Sequence, residues 1–287
     1  MARFTFVTYS GLPDLDPDDR LAVDVMKSLG HQVRVAIWDD ASVDWHSGGI
    51  TVVRSTWDYH LRFQKFSNWY ERVAALTPLW NSLALMRWNL HKRYLEVLRQ
   101  HGVPVVPTIW FSAGSAVDVH EIMHAQGWPE AVIKPAIGLS TYGVLRVSTH
   151  DEAGLQSGQR HLERLLLDGD VMLQPYLASV NDYGERALIF IDGTYSHAVR
   201  KTAFQPLLPA GEAGETPARA SEKEIALATQ ALGALPENPL YARVDLLQDD
   251  GGDPILIELE LVEPSLFLSM SAQAPRRFAN ALIALLG

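Results

Sequence analysis

Apolar and polar positions divide the 287-residue chain into short strands and helices from one end to the other. Residues 3–9 (RFTFVTY) are a β-branched and aromatic run closed by SGLP, which predicts a buried strand. DPDDRLAVDVMKSLG follows with acids in its first turn and Gly30 past its end, the punctuation of a helix. VRVAIW (33–38) and ITVV (50–53) predict two further strands, and the unit reads as α/β with a parallel sheet. No Gly-x-Gly-x-x-Gly turn follows the first strand, which argues against a dinucleotide site. Helical periodicity then covers 63–76 and 87–101, until HGVPVVPT (101–108) interrupts it with two prolines and marks a boundary.

Beyond that boundary a helix is expected at 117–126, strands at 131–134 and 144–147, a helix at 151–167 and a strand at 171–174. Ser148 with Asp151, and Ser221 with Glu224, have the spacing of capping boxes that open helices. From 187 on, ALIFI and TYSHAVR flank Asp192-Gly193, a hairpin signal. Residues 205–220 are rich in Pro, Gly, Ala and Glu and are expected to be a mobile loop near the active site. A helix at 221–235, strands at 241–247 and 254–260 and a C-terminal helix complete an α/β chain that turns α+β in its last part. We divide it at 1–103, 104–177 and 178–287.

Composition narrows the function. With 24 Lys+Arg against 34 Asp+Glu the formal charge is −10, which argues against nucleic acid as a partner. Cysteine is absent, removing disulfides, thiolate metal sites and thiol nucleophiles. The N-terminus lacks the apolar stretch of a secretory signal, and no run approaches the ~20 apolar residues of a membrane helix, so a cytoplasmic protein with no membrane partner is expected.

The last predicted strand carries the clearest chemistry. In ILIELELVEPS, Glu258 and Glu260 are two apart and share one face, with Ile257, Leu259 and Leu261 on the other. Asp245, across the DDGG turn, can face the same way and complete an oxygen cluster suited to Mg²⁺ with substrate phosphates. The residues alone leave open a solvated face with Arg243 or a lysine as counter-ion. Lys134 ends a strand before PAIGLSTYG, a small-residue loop that can cradle phosphate, although it is no Walker A loop. LQPYL (173–177) is a strand end able to meet an adenine edge through Gln174 and partly unpaired backbone. DLDPDD (14–19) starts like a calcium loop but lacks its glycine and terminal glutamate, so helix capping is expected there. The histidines show no ligand spacing, and no zinc site is expected.

NLHKRYL, Ile-Lys-Pro with its Gly-rich loop, LQPYL, GERALIFIDG and ARVDLL…LIELELVEPSLF occur in that order. The series resembles the ATP-grasp superfamily of ligases from about Asn81 to the end, with residues 1–80 as the Rossmann-like α/β domain that precedes the grasp. RSTWDY (54–59) and ELELVEPSLF resemble the subgroup that includes cycloserine synthetase, the O-ureido-serine cyclo-ligase. The resemblance implies Lys92 and Lys134 on the phosphates of ATP, and Gly138, Ser140, Thr141 and Gly143 in the flap above them. It implies Gln174, Tyr176 and Leu177 around adenine and Glu185 at the ribose or a metal. Asp245, Glu258 and Glu260 would hold two Mg²⁺, and Arg243 and Lys201 would act on the transferring phosphate. Two departures stand out: relatives commonly have Glu-x-Asn where this chain has Glu-Leu-Glu, and Ala187 stands where many have Arg, so His197, Arg200 or Lys201 would supply that charge.

The implied reaction phosphorylates a carboxylate and lets an amine attack the acyl phosphate, in a ring closure or between two molecules. A kinase or a non-catalytic ATP-binding protein on the same fold is the alternative. Arg54, Ser55, Thr56, Asp58 and Tyr59 follow a strand directly, where α/β sheets present ligands. Arg54 would meet the carboxylate and Asp58 the ammonium of a small amino-acid-like substrate; an interface ion pair is the competing reading. A homodimer is left open, as are the roles of Glu263 and His197.

Overall fold

β1 (Arg3–Thr8), α1 (Pro17–Ser28), β2 (Gln32–Ile37) and β3 (Ile50–Ser55) open a computed structural model that describes residues 1–139, 141–202 and 214–287. β1 pairs in parallel with both β2 and β3, as the βαβ alternation requires. Asp16 caps α1 by accepting from the Asp18 N–H at 2.8 Å, with Pro17 in the first turn. Asp18 accepts from the backbone N–H groups of Leu268 and Ser269, so the acidic run caps one helix and ties it to the end of the chain.

After α2 (Phe63–Ala74) comes β4 (Leu79–Trp80), a two-residue strand parallel to β3 and too short to show a period. The single helix expected over 87–101 needs correction: α3 (Leu83–Asn89) and α4 (Tyr94–Gln100) are separate. Between them the Lys92 N–H donates to the Ala136 carbonyl at 2.9 Å, a long-range bond that replaces a helical one.

β5 (Ile109–Phe111), α5 (Val119–Gln126), β6 (Glu130–Pro135), β7 (Leu145–Ser148), α6 (Glu152–Asp168) and β8 (Val171–Pro175) form an antiparallel sheet in the order β5-β8-β6-β7 with two helices. Asp151, not Ser148, caps α6: the helix begins at Glu152, and the Asp151 carboxylate accepts from the Gly154 N–H at 2.9 Å. Ser148 accepts from His150 instead.

α7 (Ser179–Asp182), β9 (Glu185–Ile191), β10 (Thr194–Lys201), β11 (Glu215–Ala218), α8 (Glu222–Gly233), β12 (Tyr241–Gln248), β13 (Pro254–Glu260) and α9 (Ala274–Ala284) follow, and the third sheet runs β11-β10-β9-β12-β13, all antiparallel. Asp192 (φ 50°) and Gly193 (φ 67°) make the tight turn between β9 and β10. Ser221 and Glu224 form a reciprocal capping box at α8. Of the stretch expected to be a mobile loop, 205–213 lies outside the described residues, and 215–218 is a correction: it is β11, paired with β10.

The cores cross our proposed boundaries at 103 and 177. Leu95 and Leu98 of α4 pack with Leu188, Val244 and Leu259 of the third sheet. Phe278 and Leu282 of α9 pack with Phe4, Phe6 and Met26 of the first unit. Each such side chain contributes about 1.5–3 kcal/mol when fully buried, so the third sheet is fastened to both ends of the chain. Among the described residues no helix is long and apolar enough to cross a membrane.

Candidate functional site

A cleft of about 400 Å³ is bordered by both antiparallel sheets: Lys134 and Gln174 come from β6 and β8, Lys201, Arg243, Glu258 and Glu260 from β10, β12 and β13. The pairing of β12 with β13 sets Asp245 opposite Glu258 and Arg243 opposite Glu260. Ligand oxygens of Asp245, Glu258 and Glu260 lie within 4.8 Å of one another. One expectation for this strand fails: Ile257 lines the cleft as well. A register shift between Asp245 and Leu246 leaves Ile257 without a partner on β12, which breaks the simple alternation.

Each acid is matched by a cation. Arg243 donates from Nε to Asp245 at 3.0 Å and from Nη2 at 2.9 Å, and also pairs with Glu260. Lys201 sits 2.8 Å from Asp245 and pairs with Glu185, its partner across β9 and β10. Lys92 lies 2.8 Å from Glu258 and donates to the Gly138 carbonyl at 2.9 Å. Burial opposes ionisation of Asp245, yet Arg243 and Lys201 hold its pKa well below the usual carboxylate range. Burial, reinforced by Asp245, pushes Glu185 up to about 7 against the pull of Lys201. Lys134 donates to Gln174 Oε1 at 3.0 Å, and burial lowers its pKa.

Lys92 reaches the cleft because the break between α3 and α4 is clamped on β13. Asn89 donates to the Leu259 carbonyl and accepts from the Leu261 N–H, both at 2.8 Å, and the Leu259 N–H donates to the Tyr94 hydroxyl at 3.0 Å. Sequence reasoning took only the lysine from NLHKRYL and missed Asn89 and Tyr94. Their signal was a buried-type Asn and Tyr bracketing the Lys92-Arg93 pair.

Gly138, Thr141 and Tyr142 line the cleft from the β6–β7 loop. Gly143 has φ 68°, and a Cβ there would come 3.2 Å from Leu165 and Pro135, so the turn needs glycine. Ser140 lies outside the described residues. Tyr176 and Leu177 line the cleft, and the Tyr176 N–H donates to the Glu130 carbonyl at 3.0 Å. Of the candidates for the charge absent at Ala187, only Lys201 is in the cleft. Arg200 donates to the carbonyls of Tyr183 and Asp182, and His197 bonds to the Phe267 carbonyl.

The residues of RSTWDY divide sharply. Arg54 is 1% exposed and pairs with Asp19 at 3.0 Å, while its Nη2 donates to the Pro264 carbonyl at 2.6 Å and its guanidinium stands 4.8 Å from the Tyr241 ring centroid. Ser55 donates to Asp19, and Thr56 is buried. Asp58 accepts from Trp38 Nε1 at 2.8 Å and pairs with Arg62. None of these four lines the cleft: Arg54, Ser55 and Asp58 are engaged by internal partners, whereas Arg54 Nη1 and Thr56 Oγ1 are buried with no hydrogen-bond partner. Of the five, Tyr59 alone borders a cavity beside the cleft. It lines a second cavity of about 20 Å³ with Lys92, Glu258, Glu260 and Glu263, and Lys92, Gly138, Glu258 and Glu260 line both spaces. Tyr59 lines this cavity beside Glu263, whose pKa burial and Glu260 push up to about 8. Trp57 Nε1 donates to the Glu263 carbonyl at 3.1 Å. With Arg54 on Pro264, RSTWDY therefore grips VEPS directly.

An all-oxygen triad facing lysines in a cleft between two sheets can hold divalent cations and polyphosphate. Residues 4–81 match the profile of the D-cycloserine synthetase DcsG N-terminal domain. The cycloserine biosynthesis protein DcsG of Streptomyces lavendulae is 37% identical over 302 residues, covering 98% of each chain. The crystal structure of D-cycloserine synthetase DcsG superposes with a TM-score of 0.90 at 35% identity, covering 99% of both chains. D-alanine–D-alanine ligase from Bacillus anthracis, at 15% identity, shares the fold with a TM-score of 0.67 over 100% of this chain and 96% of its own.

Proposed function

This chain belongs to the D-cycloserine synthetase DcsG family of ATP-grasp ligases, and from that premise we infer an ATP-dependent carbon–nitrogen ligase that activates the carboxylate of a small amino-acid-like substrate. The observation that carries the reading is the Asp245–Glu258–Glu260 oxygen cluster set against Lys92 and Lys134 in one cleft. ATP-grasp ligases use ATP and Mg²⁺. The donor set fits: all three ligands are carboxylates, and their oxygens are close enough to share ions. We assign Asp245, Glu258 and Glu260 to two Mg²⁺, which when bound neutralise phosphate charge.

The chain's own residues do the rest. Lys92 and Lys134 meet the phosphates, and Gly138, Thr141 and Gly143 shape the loop over them, with Ser140 assigned there from sequence. Gln174, Tyr176 and Leu177 border adenine and Glu185 the ribose side. Arg243 and Lys201 keep Asp245 ionised and stabilise the charge of the transferring phosphoryl group, which asks for positioning more than covalent chemistry. The substrate carboxylate attacks the γ-phosphorus, ADP leaves, and the acyl phosphate is then attacked by nitrogen with loss of phosphate. In the family reading that nitrogen belongs to the same molecule and closes a cycloserine-type ring.

The test supplies Mg²⁺ and ATP with single amino acids, O-ureido-serine among them, and follows ADP release and product mass. ADP with a cyclised product is expected. A dipeptide would move the chain to intermolecular ligation, a stable phosphorylated substrate would make it a kinase, and no ADP with any amino acid would refute the ligase reading.

A further inference from the structure

Glu263 is 5% exposed, forms no ion pair among the described residues, and its Oε2 has no hydrogen-bond partner. Buried carboxylate oxygens are ordinarily satisfied, so an orphan beside a functional cleft calls for a missing partner. The neighbouring acids are already served: Lys92 holds Glu258, and Arg243 holds Glu260. The wall around the 20 Å³ cavity thus has one acid in excess, and that acid is Glu263. The cavity has room for a group the size of one water or one ammonium, not for a whole amino acid. It adjoins the cleft through Lys92, Gly138, Glu258 and Glu260. Glu263 is also held at its backbone: Trp57 donates to its carbonyl and Arg54 donates to the carbonyl of the next residue, while Tyr59 shares the cavity wall with its side chain.

Resting on the ligase reading above, we propose that this cavity receives the α-ammonium group of the amino-acid substrate, with Glu263 as its acceptor and Tyr59 as the residue that positions Glu263. The substrate's carboxylate then extends toward the cleft, on the Glu258–Glu260 side. An α-amine kept as ammonium has no lone pair, so it does not compete for the activated carboxylate. A nitrogen elsewhere in the substrate is left to form the C–N bond as the acyl C–O bond to phosphate breaks, its proton leaving with the phosphate. Glu263 thereby favours ring closure over condensation through the α-amine.

The test compares O-ureido-serine with its desamino analogue on wild type, Glu263→Gln and Tyr59→Phe, reading ADP release, with Mg²⁺·ATP binding by calorimetry. A hydrogen bond to a charged group contributes about 1.5–3 kcal/mol, equivalent to roughly 10–150-fold. Glu263→Gln should therefore raise KM for O-ureido-serine by at least tenfold and leave the KM of ATP within about twofold. The wild-type preference for the amino acid over the desamino analogue should collapse by a similar factor. Tyr59→Phe should shift the same ratio by a few-fold, and it carries the test if Glu263→Gln does not fold. An unchanged ratio, or an equal loss on both compounds as a structural role would give, overturns the proposal. If wild type turns over neither compound nor any other amino acid, the ligase reading fails first and this assignment falls with it.

Discussion

Replacing Arg54 by Met should damage the fold rather than the substrate site. The guanidinium is 1% exposed and Asp19, its partner at 3.0 Å, is 3% exposed. Truncating one side of such a pair strands the other charge in the interior, at a cost of about 3–5 kcal/mol. Two further contacts go with it, the hydrogen bond to the Pro264 carbonyl and the stacking on Tyr241 and Phe278. At roughly 2–4 °C per kcal/mol for a chain of this order, Tm should fall by roughly 10 °C. All eight Trp lie at or before Trp128, so tryptophan emission during heating reports on the affected half. Asp19→Asn combined with Arg54→Met should be less damaging than Arg54→Met alone, because the stranded charge is gone. The pH dependence has a fixed sign. Burial raises the pKa of Asp19 and Arg54 is the group that opposes it, so without Arg54 the folded-state value rises further. An acid whose pKa is raised on folding contributes stability below its unfolded pKa and loses it as pH climbs through the folded one. The penalty in Arg54→Met should therefore be smallest under acid conditions and grow toward neutrality. A Tm within 2 °C of wild type, together with a tenfold higher KM for the amino acid, would refute this and return Arg54 to the substrate.

Glu258→Gln should lower turnover by at least a hundredfold while circular dichroism and Tm stay close to wild type, since the residue faces the cleft; Lys134→Met should weaken Mg²⁺·ATP at least tenfold by calorimetry and shrink its thermal shift. Near-normal behaviour in both would remove these side chains from the nucleotide site. Asn89→Ala leaves the Leu261 N–H and the Leu259 carbonyl unpaired in the interior, which at about 1–3 kcal/mol per group should lower stability by about 2–6 kcal/mol in urea titrations. It should also reduce kcat, because Asn89 fixes the strand that carries Glu258 beside the segment that carries Lys92.

How much of this was legible in the sequence depended on the range of the forces involved. The parallel first sheet, the Asp192-Gly193 hairpin and the capping box at Ser221 follow from local pattern, and the structure has them. So does the placement of Asp245, Glu258 and Glu260 together, since a two-residue spacing and a short turn suffice to set it. The split between α3 and α4 was not legible: helical periodicity runs through it, and what breaks it is a bond from Lys92 to Ala136, a partner distant in the chain. β4 and β5 are too short to carry a period. Arg54 and Asp58 were misplaced for a related reason. A strand end predicts where a side chain starts but not which acid 35 residues away, here Asp19, claims it.

That misplacement shows what the two diagnostic motifs do for each other. RSTWDY clamps the second motif: Arg54 and Trp57 grip the backbone of Pro264 and Glu263, and Tyr59 lines one cavity with the Glu263 side chain. The first sheet thus sets the position of the strand exit that follows Glu258 and Glu260. The same economy governs the charges. Glu185, Asp245, Glu258 and Glu260 stand among Lys92, Lys134, Lys201 and Arg243, and direct contacts link nearly all of them. A bare cluster of four acids in a buried cleft would take up protons, because desolvation and mutual repulsion both disfavour ionisation. Here Lys92 holds Glu258 below its ordinary range, and Arg243 with Lys201 does the same for Asp245, so those metal-ligand candidates are kept charged in advance. On the proposed function, binding is then an exchange of partners. Lys92 and Lys134 pass to phosphate as the acids pass to Mg²⁺, and the cleft undergoes little net change of charge. Arg243 and Lys201, fixed by strand register to Glu260 and Glu185, have less freedom to leave. They remain as the preorganised positive wall against which phosphoryl transfer runs.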